Sequence, residues 1–199
     1  MASMKRMKKS DVTRQTILST GRALVTKGGF GAMGLSTLLN ESGVPKGSFY
    51  YYFPSKEAFG EAMLRDYVED YLTRVEALMT RDGCGADKLM AFCSAWLDHD
   101  RHQGLVSTCL VVKLGAEVAD LSETMRLVLD NGVKALVGKL AIIMREGEAD
   151  GSLHPQEATE RSVQVLYAQL LGAAIQSKLS HDQTPLEAVL EDIKARLIV

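Results

Sequence analysis

The chain has 199 residues, 46% hydrophobic and 24% charged, with 17 Gly and only 4 Pro. That is enough apolar mass for one or two packed domains; it excludes low-complexity disorder and collagen-like repetition, and with 6% aromatic residues it favours helix over sheet. The net charge is only −2 but uneven: ten Lys/Arg face four Asp/Glu through Arg65, and thirteen face twenty-one beyond it, as for a polyanion-binding module on a body with another task.

The start, Met-Ala-Ser-Met-Lys-Arg-Met-Lys-Lys, is basic without an apolar run and does not read as a signal peptide. Asp11 is expected to cap a first helix in which Ile17, Leu18, Gly21, Leu24 and Val25 keep the helical period. Lys27-Gly28-Gly29 ends it, and Phe30 is expected to enter the core. A short helix over Leu35–Ser42 stops at Gly43, and Gly43-Val44-Pro45 turns the chain into another over Lys46–Tyr52. Pro54-Ser55 halts that one, and Ser55 caps a long helix running to Thr80.

Arg81-Asp82-Gly83-Cys84-Gly85 reads as a loop and a seam. Helices are then expected over 86–101, 107–119, 122–148, 156–179 and 185–197, with Asp150-Gly151 and His154-Pro155 as turns. Thr184-Pro185-Leu186-Glu187 has the form of a capping box with Pro at the first helical position. No strand pattern competes, so the fold class is all-α. The longest uncharged stretch, Ser162 to Ser177, contains three Gln and falls short of the roughly 20 residues a membrane span needs. A soluble, cytoplasmic protein is expected.

The two short helices around a Gly-containing turn make a helix-turn-helix, whose second helix fits the major groove. Leu38, Leu39, Val44 and Phe49 have the spacing to pack the pair on the first helix, which leaves Lys46, Ser48, Tyr50 and Tyr51 outward. Lys46, Gly47 and Ser48 offer a cation, a bare N–H and a hydroxyl to phosphates and base edges; Lys56, opening the next helix, offers an ammonium. The bare pattern also fits an αα-hairpin with core tyrosines. Yet Tyr50, Tyr51 and Tyr52 cannot all face inward on one helix, and the basic surplus lies in the same third.

Gly-Val-Pro-Lys-Gly-Ser-Phe-Tyr-Tyr-Tyr-Phe-Pro-Ser-Lys-Glu-Ala-Phe (residues 43–59) resembles the DNA-binding signature of TetR-type transcriptional repressors. The resemblance covers residues 11–65 closely, and length and helical organisation extend it over the chain. It implies an N-terminal three-helix DNA-binding domain (1–54), a connecting helix (55–80) and an effector-sensing and dimerisation domain (81–199). It further implies a homodimer on a pseudo-palindromic double-stranded operator, with DNA contacts from Ser36, Thr37, Lys46, Gly47, Ser48, Tyr50, Tyr51 and Lys56. A ligand or modification in the body would move the heads apart. The family often has His where Tyr52 stands.

The segment from Ser107 to Ser122 is similar to an electrophile-responsive subgroup of that family, in which Gly-Cys-Leu usually opens this helix; here Thr108 replaces the Gly. Lys178 and Tyr167 also match. Chemically, Cys109 is placed about two residues into a helix, where the macrodipole favours a thiolate. Lys113 at i+4 adds positive charge unless Glu117 claims it, and Lys178 ends a long uncharged helix. A lysine beside a thiolate would sharpen its reactivity toward aldehydes, quinones or hypohalous oxidants. A cysteine on an apolar helix also fits inert core.

Cys84, Cys93 and Cys109 show no CxxC spacing and no even-numbered framework, so free thiols are expected, Cys84 exposed and Cys93 in the core. A non-covalent pocket lined by Phe92, Trp96, His99, Met125 and Tyr167 is the alternative to a cysteine switch. His99 and His102 share a face but lack a third ligand, so no metal site is expected. A small thiol-dependent enzyme is a further alternative, but no catalytic set, phosphate loop or cofactor motif supports one. The helices over 122–148 and 156–179, the second apolar on several faces (Val163, Leu166, Tyr167, Leu170, Ala174), are expected to form a four-helix dimer interface.

Overall fold

The computed structural model describes residues 9–97 and 109–199. Among them are α1 (Lys9–Gly28), α2 (Leu35–Ser42), α3 (Lys46–Tyr52), α4 (Lys56–Met79), α5 (Gly85–Ser94), α6 (Leu110–Leu121), α7 (Glu123–Asp150), α8 (Thr159–Ser180) and α9 (Thr184–Leu197). The described residues form no strand beyond one isolated bridge between Leu153 and Ile198. The chain divides into two compact units: the described residues of Met1–Val68 with Lys113–Leu129, and those of Glu69–Val112 with Asp130–Val199. The expected helix ends at 98–101 and 107–108, and His99 and His102, lie outside the described residues.

In the first unit, helix ends follow the backbone chemistry of single residues. Gly29 (φ +87°) closes α1 with its N–H on the Val25 carbonyl, and Gly43 (φ +65°) closes α2 with its N–H on Asn40 and Leu39. Ser55 Oγ accepts the Ala58 N–H at 3.0 Å and opens α4 as expected. Asp11 does not cap α1: the helix already runs from Lys9, and Asp11 sits in its first turn. Phe30 is buried with Ile17, Leu18 and Val25 of α1.

The second unit packs α9 on α8 and binds its last residues to the α7–α8 loop, His154 N–H reaching the Leu197 carbonyl at 2.8 Å. The Thr184 capping box does not form, because Thr184 is already helical and Gln183 is the N-cap. Asp182 caps instead, accepting the Thr184 N–H at 3.2 Å. The Thr184 hydroxyl and this N–H hold the Asp182 carboxyl below the usual carboxylate range.

At the α5 start, Asp150 Oδ2 accepts the Gly85 N–H at 2.8 Å and Ser152 Oγ the Ala86 N–H at 3.0 Å. Hydrogen bonds from the Ser152 hydroxyl and from Gly85 hold Asp150 below its ordinary carboxylate value. A carboxyl lowered in the folded state contributes stability above its unfolded pKa, and that contribution is lost as pH falls through the folded one. Asp150→Asn should therefore flatten the acid limb of stability, below about pH 4, measured as melting temperature against pH by circular dichroism. Equal slopes in the two proteins would refute this.

Candidate DNA-reading head and thiol core

The helix-turn-helix is held by one face and exposed on the other among the described residues. The Pro45 carbonyl accepts the Ser48 and Phe49 N–H groups and starts α3. Leu38, Val44 and Phe49 are buried, and the Phe49 ring meets Phe53 at 5.4 Å and Phe59 at 5.7 Å between centroids. Gly21 of α1 makes room for this cluster, since a Cβ there would lie 2.2 Å from Phe59 Cζ. Ser36, Thr37, Lys46, Gly47 and Tyr50 are exposed, Tyr51 is 80% exposed, and Ser48 is half-buried. Lys56 is half-buried as well; its ammonium donates to the Gly31 carbonyl at 3.2 Å and lies 5.0 Å from the Phe30 ring centroid.

Two residues of α6 reach the same head. Lys113 donates to the Lys27 carbonyl at 3.4 Å, at the C-terminal end of α1. Glu117 does not claim Lys113: its two oxygens accept the N–H groups of Phe30 (3.1 Å) and Gly31 (2.6 Å). Ser122 Oγ donates to Glu57 at 2.5 Å and accepts the Met125 N–H at 3.3 Å. Met125 is buried in this unit, where a Cβ on Gly60 would fall 2.5 Å from its sulfur and 2.6 Å from Phe30 Cζ.

The second unit gathers Cys109 with aromatic residues. Cys109, 3% exposed, stands just before α6 rather than inside it, and the Val112 N–H points at its sulfur at 3.5 Å. Tyr167 of α8 lies edge-to-face with Trp96 at 6.0 Å. Burial first, then the nearby Cys109 sulfur, raise both the Tyr167 and Tyr71 phenols well above the ordinary tyrosine value, so both stay neutral. Tyr71, invisible to motif reading, also lines an apolar cavity of about 220 Å³ with Arg74, Val75, Leu78, Phe92 and Ala95. Lys178 is half-buried in the last turn of α8, eleven residues beyond Tyr167, a spacing that returns to the same helix face.

The other thiols differ from Cys109. Cys93 is fully buried and burial pushes its thiol up to about 12. Cys84 is half-buried at the N-cap of α5 with its sulfur 3.2 Å from the Asp87 carboxylate. No group of His, Cys, Asp or Glu among the described residues is arranged to hold a metal ion. No helix among them is long and apolar enough to cross a membrane.

An exposed polar and aromatic face on the second helix of a helix-turn-helix, carried on a helical body, defines a DNA-binding transcriptional regulator. Residues 17–63 match the bacterial regulatory proteins of the tetR family, and residues 85–193 match the tetracyclin repressor-like C-terminal domain. The chain belongs to the TetR family. It is 42% identical over 183 residues to the HTH-type transcriptional repressor NemR of Escherichia coli K12, covering 92% of each chain. It is 27% identical to the transcriptional regulator AcuR of Cereibacter sphaeroides, covering 90% of this chain and 82% of that one. The crystal structure of the reduced form of E. coli NemR superposes with a TM-score of 0.87 at 40% identity, covering 94% of this chain and 98% of that one. The chain is a DNA-binding TetR-family transcriptional repressor, and its homologues are regulators rather than enzymes.

Proposed function

We propose that two copies of the chain bind a pseudo-palindromic operator and release it when Cys109 is modified by an electrophile or an oxidant. In this reading residues 1–54 read DNA, 55–80 connect, and 81–199 sense the effector and dimerise. Ser36, Thr37, Lys46, Gly47, Ser48, Tyr50, Tyr51 and Lys56 meet the operator. The observation that carries the sensor is the Val112 N–H aimed at the Cys109 sulfur, a donor for whatever negative charge the sulfur bears when it attacks. Lys178 and Tyr167 complete the sensor region, and Lys113 ties α6 to α1.

The pairing face is drawn from apolar residues of the same two helices that the chain itself leaves uncovered. Val163, Leu166, Tyr167, Leu170 and Ala174 are all buried within the chain itself. Ile142 of α7 and Val165, Ile175 and Leu179 of α8 remain exposed, and these apolar side chains support pairing with a second copy. Release is a population shift: modification favours a conformation that the operator does not. The cavity beside Phe92 favours a second reading, a small apolar ligand bound without covalent chemistry.

The test is an operator gel shift with methylglyoxal, a quinone and hypochlorite, each followed by thiol reduction, on the parent chain and on Cys109→Ser. The parent should lose at least about tenfold in operator affinity, a coupling of about 1.4 kcal/mol. Cys109→Ser should bind equally well before treatment and be released by none of the three. Equal release of both proteins would exclude the thiol mechanism and favour the cavity.

A further inference from the structure

Six residues, Gly29-Phe-Gly-Ala-Met-Gly34, join α1 to α2, and three of them are glycines. Such a segment has little stiffness of its own, yet it sets the start of α2, where Ser36 and Thr37 are exposed. Its apolar fastenings are Phe30 and Met33, both buried. Its polar fastenings come from outside the helix-turn-helix. Glu117 takes the N–H groups of Phe30 and Gly31 on separate oxygens, while Lys56 takes the Gly31 carbonyl. Gly31 is thereby gripped on both faces of its backbone.

The space is shaped for that carboxylate. A Cβ on Gly29 would sit 3.0 Å from Glu117 Oε2, and one on Gly31 3.0 Å from Oε1. Gly31 is not in the left-handed region, so its lack of a side chain answers to space rather than to backbone conformation. Lys113, one turn earlier in α6, adds a parallel tie to the last turn of α1. We propose that Glu117 is a positioning residue for operator binding: from α6 it fixes the α1–α2 segment, and through it the placement of α2 on DNA. This needs only that the chain binds DNA and does not depend on the cysteine switch.

The test uses the full chain and an operator selected by the parent protein from random-sequence duplexes. Operator Kd is measured by fluorescence anisotropy for the parent, Glu117→Ala, Glu117→Gln, Gly31→Ala and the Glu117→Ala/Gly31→Ala double variant, at a temperature where all five are folded. Loss of a charge-assisted pair of hydrogen bonds should weaken operator binding by about tenfold in Glu117→Ala. Gly31→Ala should cost about threefold in the parent, by pushing the carboxylate off its donors, and nothing further in the Glu117→Ala background. Glu117→Gln, with one acceptor left, should fall between. A residue that merely stabilised the fold would lower the melting temperature without this non-additivity. Operator affinity within twofold of the parent in Glu117→Ala, or penalties that simply multiply, would overturn the proposal. Failure of Cys109→Ser to block release would leave it untouched, so the two readings fail separately.

Discussion

Gly85→Ala is expected to melt about 6–12 °C below the parent chain, the consequence of about 3 kcal/mol of overpacking in a protein of this size. The added Cβ would lie 2.2 Å from the Gly147 nitrogen, 2.3 Å from Gly147 Cα and 2.9 Å from the Ile143 carbonyl oxygen. All three are backbone atoms of α7, so no side chain can swing aside and the helices themselves must part. The displacement also pulls on the Gly85 N–H to Asp150 bond that starts α5. Backbone strain plays no part, because Gly85 is outside the left-handed region. Gly138→Ala in the same α7 is the control: nothing lies within 4 Å of its Cβ, and helix propensity should stabilise that variant by about 0.5–1 kcal/mol. Thermal unfolding followed by circular dichroism measures both. Equal melting of Gly85→Ala and the parent would refute the steric account.

The double variant Lys46→Ala/Tyr50→Ala is expected to bind the selected operator at least about a hundredfold more weakly while melting as the parent does. Both side chains are exposed on α3, and neither fills the Phe49–Phe53–Phe59 cluster that holds the helix, although the Tyr50 ring touches Phe49 edge-on at 5.4 Å. A dimer would place two such heads on one operator, so a weakening of about 1.5 kcal/mol per head suffices for that factor. Salt dependence separates the roles. If Lys46 meets a phosphate, Lys46→Ala alone should lower the slope of log K against log salt by about one for each head. Unchanged operator affinity in the double variant would refute the assignment of α3 as the reading helix.

Much of the fold was legible because single residues with narrow conformational needs punctuate the chain. Gly29, Gly43 and Ser55 stop or start helices where the sequence places them. The reading failed where a cap competes with its neighbours. Thr184 has the right partner three residues on, but Asp182 reaches the helix start first. The exposed face of α3 follows from three consecutive tyrosines on one helix. The role of Glu117 stayed hidden because intrahelical spacing pairs it with Lys113, whereas its real partners lie 86 and 87 residues earlier in the chain. Tyr71 escaped for a related reason: it is buried near the sulfur of a residue 38 positions later in the chain, and no spacing rule encodes that. Burial also separates two apolar sets on α8: Val163, Leu166, Leu170 and Ala174 are consumed inside the chain, whereas Val165, Ile175 and Leu179 face outward.

Trp96 gives the protein an optical handle. It is the single tryptophan of the chain, fully buried, and its ring lies edge-to-face with Tyr167 in the same unit as Cys109. All indole emission therefore originates in the second unit and none in the helix-turn-helix unit, where Tyr50, Tyr51 and Tyr52 stand. Excitation at the red edge of the absorption band selects that one ring, so unlabelled protein reports on the surroundings of its thiol core in real time, even with DNA bound.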